Sequence, residues 1–154
     1  MDKQLEEKIS KITIAISTAI VVISAAIIIF VFCMLNTSSY EKVGGELAQR
    51  HLLEKTLLVE SHSIETIAEK LSELDFQIIN SSKISDYSIV GANYSLLNGK
   101  KIAKLKLKSS AGEYLSLFQF KQSDIKKLEI STSEIKGVLI NIWTEGDLYF
   151  VLAK

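Results

Sequence analysis

Proline is absent from all 154 residues, cysteine occurs once and histidine twice. For the missing proline the sequence offers no physical account. The single cysteine, Cys33, excludes a disulfide within the chain, so cysteine usage does not reveal the redox compartment. Excess charge is absent too: 18 Lys plus Arg face 18 Asp plus Glu. The first 11 residues hold three of each sign, which leaves 15 of each beyond Asn36. A balanced domain lacks the basic excess by which proteins hold phosphate backbones, so nucleic acid is excluded as a general partner.

Motifs that carry chemistry are missing as well. No Walker loop, GxGxxG, GxSxG, HExxH or CxxCH occurs, and the carboxylates are scattered. His51 and His62 alone cannot supply the three or four N/S ligands of a structural zinc. Each is better explained as a packing or surface histidine. The expectation is a protein that is not an enzyme and has no cofactor or metal.

Charge is wholly missing from one stretch, and that stretch organises the rest. Ile12 to Leu35 has no ionisable side chain other than the Cys33 thiol. As a helix rising ~1.5 Å per residue it would reach roughly 36 Å, enough to span a ~30 Å hydrocarbon core. A helix satisfies its own backbone groups in lipid, so a single transmembrane helix over 12–35 is expected, with the lipid bilayer as its solvent. A cleaved signal would have a shorter apolar core of about 7–15 residues. Lipid modification at Cys33 would want a small residue where Phe32 stands. Lys3, Lys8 and Lys11 precede the span, against only Lys42 and Arg50 soon after it. The positive-inside rule then places residues 1–11 in the cytoplasm and the remainder outside. Ala15, Ala19, Val22 and Ala26 share one helical face, where small residues would let a second copy approach as a homodimer, or simply reflect the alanine common in such helices. Ser17, Thr18 and Ser24 can bond back to their own helix.

Residues 36–58 read as a juxtamembrane segment, partly helical from Glu41, with Gly44-Gly45 as a weak point. Residues 59–154 read as one small domain. Ser63 is a good N-cap, and Ile64, Ile67, Ala68, Leu71 and Leu74 form one face of an amphipathic helix. From Ile89 the period changes to two. Asn98-Gly99 is a type I′ hairpin signal, followed by strict alternation of leucine and lysine from Lys104 to Lys108. Tyr114 to Phe120 is apolar on both parities for part of its length, which marks a central strand. A closing hairpin joins Gly137–Trp143 to Leu148–Leu152, and 121–136 is polar with one helical turn. The expected fold is α+β: about five antiparallel strands with one amphipathic helix packed on the sheet. The aromatics, Tyr114 included, are assigned to the core by strand parity. Lys104, Lys106 and Lys108 can meet anionic headgroups or an acidic partner, or can guard a solvated strand face against edge pairing.

Taken together, His62-Ser63-Ile64, Leu74-Asp75-Phe76, Ile89-Val90-Gly91-Ala92 with Asn98-Gly99-Lys100, Ala103-Lys104-Leu105, Tyr114 to Phe118 and the closing Gly137–Trp143 strand with Tyr149 carry a resemblance. This pattern resembles the extracytoplasmic domain of single-pass bacterial anti-sigma factors. The resemblance implies a periplasmic sensing or docking module on an anchor in the bacterial inner membrane, with a protein partner in the membrane or periplasm. Members of that family also carry a cytoplasmic zinc-binding domain that holds a sigma factor. Residues 1–11 offer none of its ligands, so sigma binding is not carried over. The alternative role is a small single-pass accessory subunit of a larger respiratory or transport complex.

Overall fold

The computed structural model describes residues 20, 22–28, 39–53, 56–125 and 128–154, and the chain divides into two compact units, Met1–Thr37 and Ser38–Lys154. Of the first unit, residues 20 and 22–28 are α-helical and exposed. Ser24 donates its hydroxyl to the carbonyl of Ile20 at 2.8 Å, the back-bond anticipated for it. Val22 and Ala26 belong to this helical piece, whereas Ala15, Ala19 and most of the expected span lie outside the described residues. Among the described residues no helix is long and apolar enough to cross a membrane.

The second unit is α+β. Helix α1 runs Ser39–Leu53, followed by β1 (Val59–Glu60), α2 (Ile64–Lys70), β2 (Tyr87–Leu97), β3 (Lys100–Ser109), β4 (Tyr114–Lys121), β5 (Thr132–Ile135), β6 (Val138–Glu145) and β7 (Leu148–Ala153). All seven strands pair antiparallel in the order β1-β2-β3-β4-β7-β6-β5. The β2–β3 hairpin closes on Asn98 and Gly99, both at positive φ (51° and 79°), as a two-residue turn with matching twist demands. Strand β4 is central, as its two-sided apolar pattern required, and β7 beside it is likewise buried on both faces.

Two features exceed the expected five strands and one helix. Strand β5 pairs with β6 through a second two-residue turn, Lys136-Gly137, with φ of 53° and 76°. Strand β1 adds two residues at the opposite edge, and Leu58 donates its N–H to Ala92 at 2.9 Å. The sheet is covered on both faces, not one. On one face α1 buries Tyr40, Val43, Leu47 and Ala48 among Phe118, Phe120, Ile140, Ile142 and Val151. On the other, α2 and the loop after it bury Ile67, Leu71, Ile78 and Ile84 among Leu105, Leu107, Leu115, Leu117, Trp143 and Phe150. Each such fully buried side chain contributes about 1.5–3 kcal/mol, so α1 is integral to the core of its unit.

Local chemistry explains both helices. In α1, Glu41 lies in the first turn and Arg50 in the last, complementing the helix dipole. Gly44-Gly45 does not hinge it; the helix is continuous, and the missing side chain admits β5. A Cβ on Gly44 would lie 2.5 Å from Ile135 Cδ1. Helix α2 starts as expected, with Ser63 Oγ accepting the Thr66 N–H at 3.3 Å. It stops at Lys70, short of Leu74. There the Tyr94 hydroxyl accepts the Glu73 N–H at 3.1 Å and donates to the Lys70 carbonyl at 3.4 Å, replacing the next rung of the helical ladder.

Candidate functional site

Where α1 ends over β3 and β4, a cavity of about 390 Å³ opens. Its floor is the sheet face that carries Lys104 and Lys106 on β3, Asn93 on β2 and Ser116 on β4. Its walls are His51 and Leu52 from the last turn of α1, Thr56 and Leu57 from the segment leading to β1, and Tyr114. Register places these together: Lys106 pairs across from Ser116, Lys108 from Tyr114, and Asn93 from Lys104. Cross-strand partners share a face, so strand alternation aims all of these side chains toward α1.

The three lysines of the alternating run meet three different fates. Lys104 is buried, 6% exposed, which corrects its assignment to a solvated strand face. Its ammonium donates to the carbonyl of Arg50 at 2.8 Å and lies 5.7 Å above the Phe118 ring. It therefore caps the negative end of α1, which a lysine on a bare strand would not do. Lys106 is half-buried, with its ammonium 4.4 Å from the Tyr114 ring centroid. Lys108 is exposed, 5.7 Å from the same ring and outside the cavity lining. The neighbouring Lys100 and Lys101 are tied to Asp124 and Glu73.

Sequence parity put Tyr114 in the core with the other aromatics. Phe118, Phe120, Trp143, Tyr149 and Phe150 are buried there, but Tyr114 is 52% exposed at the cavity rim. It lies at the start of β4, outside the cluster that α1 buries, with the Lys106 and Lys108 ammonium groups 4.4 and 5.7 Å from its ring centroid.

His51 and Ser116 were not singled out as partners. The Nδ1 of His51 is 3.0 Å from the Ser116 hydroxyl, and the serine is itself buried. Burial first, and the Lys104 ammonium second, hold the His51 imidazole below its ordinary pKa. Two signals bore on this pair: the position of His51 in the last turn of α1, and the parity that groups Ser116 with Phe118. Joining them required knowing where α1 lies on the sheet. Also in the cavity lining, Asn93 Nδ2 donates to the Thr56 carbonyl at 3.2 Å and fixes the approach to β1.

His62 lies elsewhere, with Nδ1 in a short hydrogen bond to the carbonyl of Ile89 that ties the start of α2 to β2. Among the described residues no cluster of His, Cys, Asp and Glu is arranged to hold a metal ion. Comparison with known proteins finds no family model that matches this chain, no matching curated protein and no matching solved structure.

Proposed function

We propose that this protein is a non-enzymatic, membrane-anchored interaction or sensing module. Residues 1–11 lie in the cytoplasm, residues 12–35 cross the bacterial inner membrane, and the Ser38–Lys154 unit is presented in the periplasm. The observation that carries this is the uncharged run Ile12 to Leu35 directly ahead of a compact unit that begins at Ser38. An uncharged segment of that length is a poor fit to water and a good fit to lipid. The sensing surface is assigned to the cavity at the end of α1, where Lys104 and Lys106 line a hollow instead of a plain solvated strand.

Reporter fusions following Lys154 test the topology: activity outside the cytoplasm is expected, and cytoplasmic activity would invert the arrangement. Recovery of the full chain from the aqueous fraction without detergent would remove the anchor altogether. Purification in mild detergent separates the two roles. Release as a monomer or homodimer supports the sensing module, and stable co-purification with large membrane subunits supports the accessory role. Reproducible substrate turnover abolished by changing His62 or His51 would overturn the non-enzymatic assignment.

A further inference from the structure

We infer that the cavity at the end of α1 binds a small organic monoanion with an apolar body, its charge beside the Lys106 ammonium and its body against Leu52, Leu57 and the Tyr114 ring. This rests on the sensing role proposed above and names the class of ligand that the sensor would take.

The charge assignment follows from what each cation already does. Lys104 is committed to the Arg50 carbonyl at the end of α1. Lys106 makes no ion pair among the described residues; its ammonium rests on the face of Tyr114 at 4.4 Å. A cation–π contact at a partly exposed ring is worth less than a charge-assisted hydrogen bond. A carboxylate entering the cavity would therefore gain from Lys106 more than the ring supplies. Among the described residues no Asp or Glu lines the cavity, and there an entering anion meets positive potential from Lys106 and from Lys104 behind it. Among the described lining residues Lys106 is the one uncommitted cation, with Lys108 outside the lining, and a single charge suits it better than the two of a phosphate monoester, whose second buried charge would lack a partner.

The apolar body follows from the walls. Leu52 and Tyr114 are each 52% exposed and converge on a concave surface, an arrangement that leaves apolar area in water unless something covers it. With the imidazole proton on His51 Nδ1, Ser116 accepts from His51 and its own hydroxyl hydrogen is left at the floor to donate to a second oxygen. A volume of about 390 Å³ lies toward the small end of ligand pockets, which run roughly 300–1,000 Å³.

The test uses the full chain in phosphatidylcholine nanodiscs, with 4-fluorobenzoate as probe, fluorine NMR line broadening as readout and empty discs as blank. Saturable broadening that benzoate competes away is expected, with neutral 4-fluorobenzamide at least about tenfold weaker. Lys106→Gln should weaken 4-fluorobenzoate by about tenfold and Lys106→Arg should retain it, because only the charge is removed in the first. Leu52→Gln, on an exposed helix position, should weaken it several-fold without altering the unfolding midpoint. Equal binding of acid and amide, or an unchanged affinity in Lys106→Gln, would overturn the anion assignment. Competition by inorganic phosphate as effective as by benzoate would overturn the apolar body. Failure here and failure of the parent role are separable. Absent binding with the reporter outside the cytoplasm sinks the pocket alone. Binding with the reporter inside sinks the periplasmic sensor and leaves the pocket.

Discussion

The side-chain amide of Gln119 is hydrogen-bonded at both ends to the backbone of Ile79: Nε2 donates to the Ile79 carbonyl at 2.9 Å, and Oε1 accepts the Ile79 N–H at 3.2 Å. Gln119 is fully buried on β4, so the amide stands in for a strand that the loop after α2 does not form. Gln119→Leu should lower stability by about 2–4 kcal/mol, because two backbone groups lose their partners in a dry site. Gln119→Glu should do no better, since it keeps the acceptor and loses the donor to Ile79. Denaturant midpoints followed through the single Trp143, which stacks on Phe150 at 5.4 Å, would measure this.

Lys104 and Lys106 are two residues apart on one face of β3, yet their removal should have unlike effects on folding. Lys104→Ala strips a buried ammonium from the carbonyl at the end of α1 and should cost about 1–3 kcal/mol. Lys106→Ala loses a half-exposed contact with Tyr114 and should cost under about 1 kcal/mol. Equal losses in parallel unfolding curves would show that Lys104 is not a cap.

Acidification should weaken the fold through His51. Its imidazole pKa is lowered in the folded state by burial and by Lys104, so the unfolded chain takes up the proton first as pH falls. This contribution is complete above about pH 6.5, the ordinary imidazole value, and is lost progressively below it until the folded-state pKa is passed. His51→Gln should flatten the midpoint-against-pH curve in that window. The depressed carboxyls of Glu65, bonded to Ser63, and Asp75, bonded to Lys121, act in the same direction at more acid pH. An unchanged slope near pH 6 in His51→Gln would refute the assignment.

Gly91→Ala should detach the edge of the sheet. A Cβ there would lie 2.3 Å from the Val59 carbonyl oxygen and 2.9 Å from a methyl of Leu57. Backbone cannot yield as a side-chain tip can, so β1 must move, at about 1–3 kcal/mol. The amide of Leu58, bonded to Ala92, should lose protection from hydrogen exchange while amides of β4 keep theirs.

How much of this was legible differs from element to element. The β2–β3 hairpin was plain because Asn98-Gly99 and the leucine–lysine alternation specify one turn and one register. The start of α2 was plain because a serine cap precedes an apolar stripe. Its end was not, since it depends on the hydroxyl of Tyr94, 24 residues away from Lys70. Strand β5 escaped notice because Thr132–Ile135 is short and polar, and its turn places Lys136 where Asn or Asp is the usual signal. The same gap hid the role of Gly44: its closeness to Ile135 has no meaning until β5 exists.

The candidate site was half legible for a related reason. Alternation groups Lys104, Lys106 and Lys108 together but treats them alike. Which one is buried depends on where the last turn of α1 comes to rest, a tertiary fact with no trace in the strand. His51 and Ser116 lie 65 positions apart and meet only because that helix crosses β4.

Strand β7 leaves the ribosome after every other strand of the sheet, yet it lies between β4 and β6. Until Leu148–Ala153 is available, the remaining strands can pair only as two separate ladders, β1 to β4 and β5 to β6, each with an open apolar border. Final assembly of this sheet therefore waits for the strand that comes last in chain order, and a chaperone that shields those borders would act in that interval.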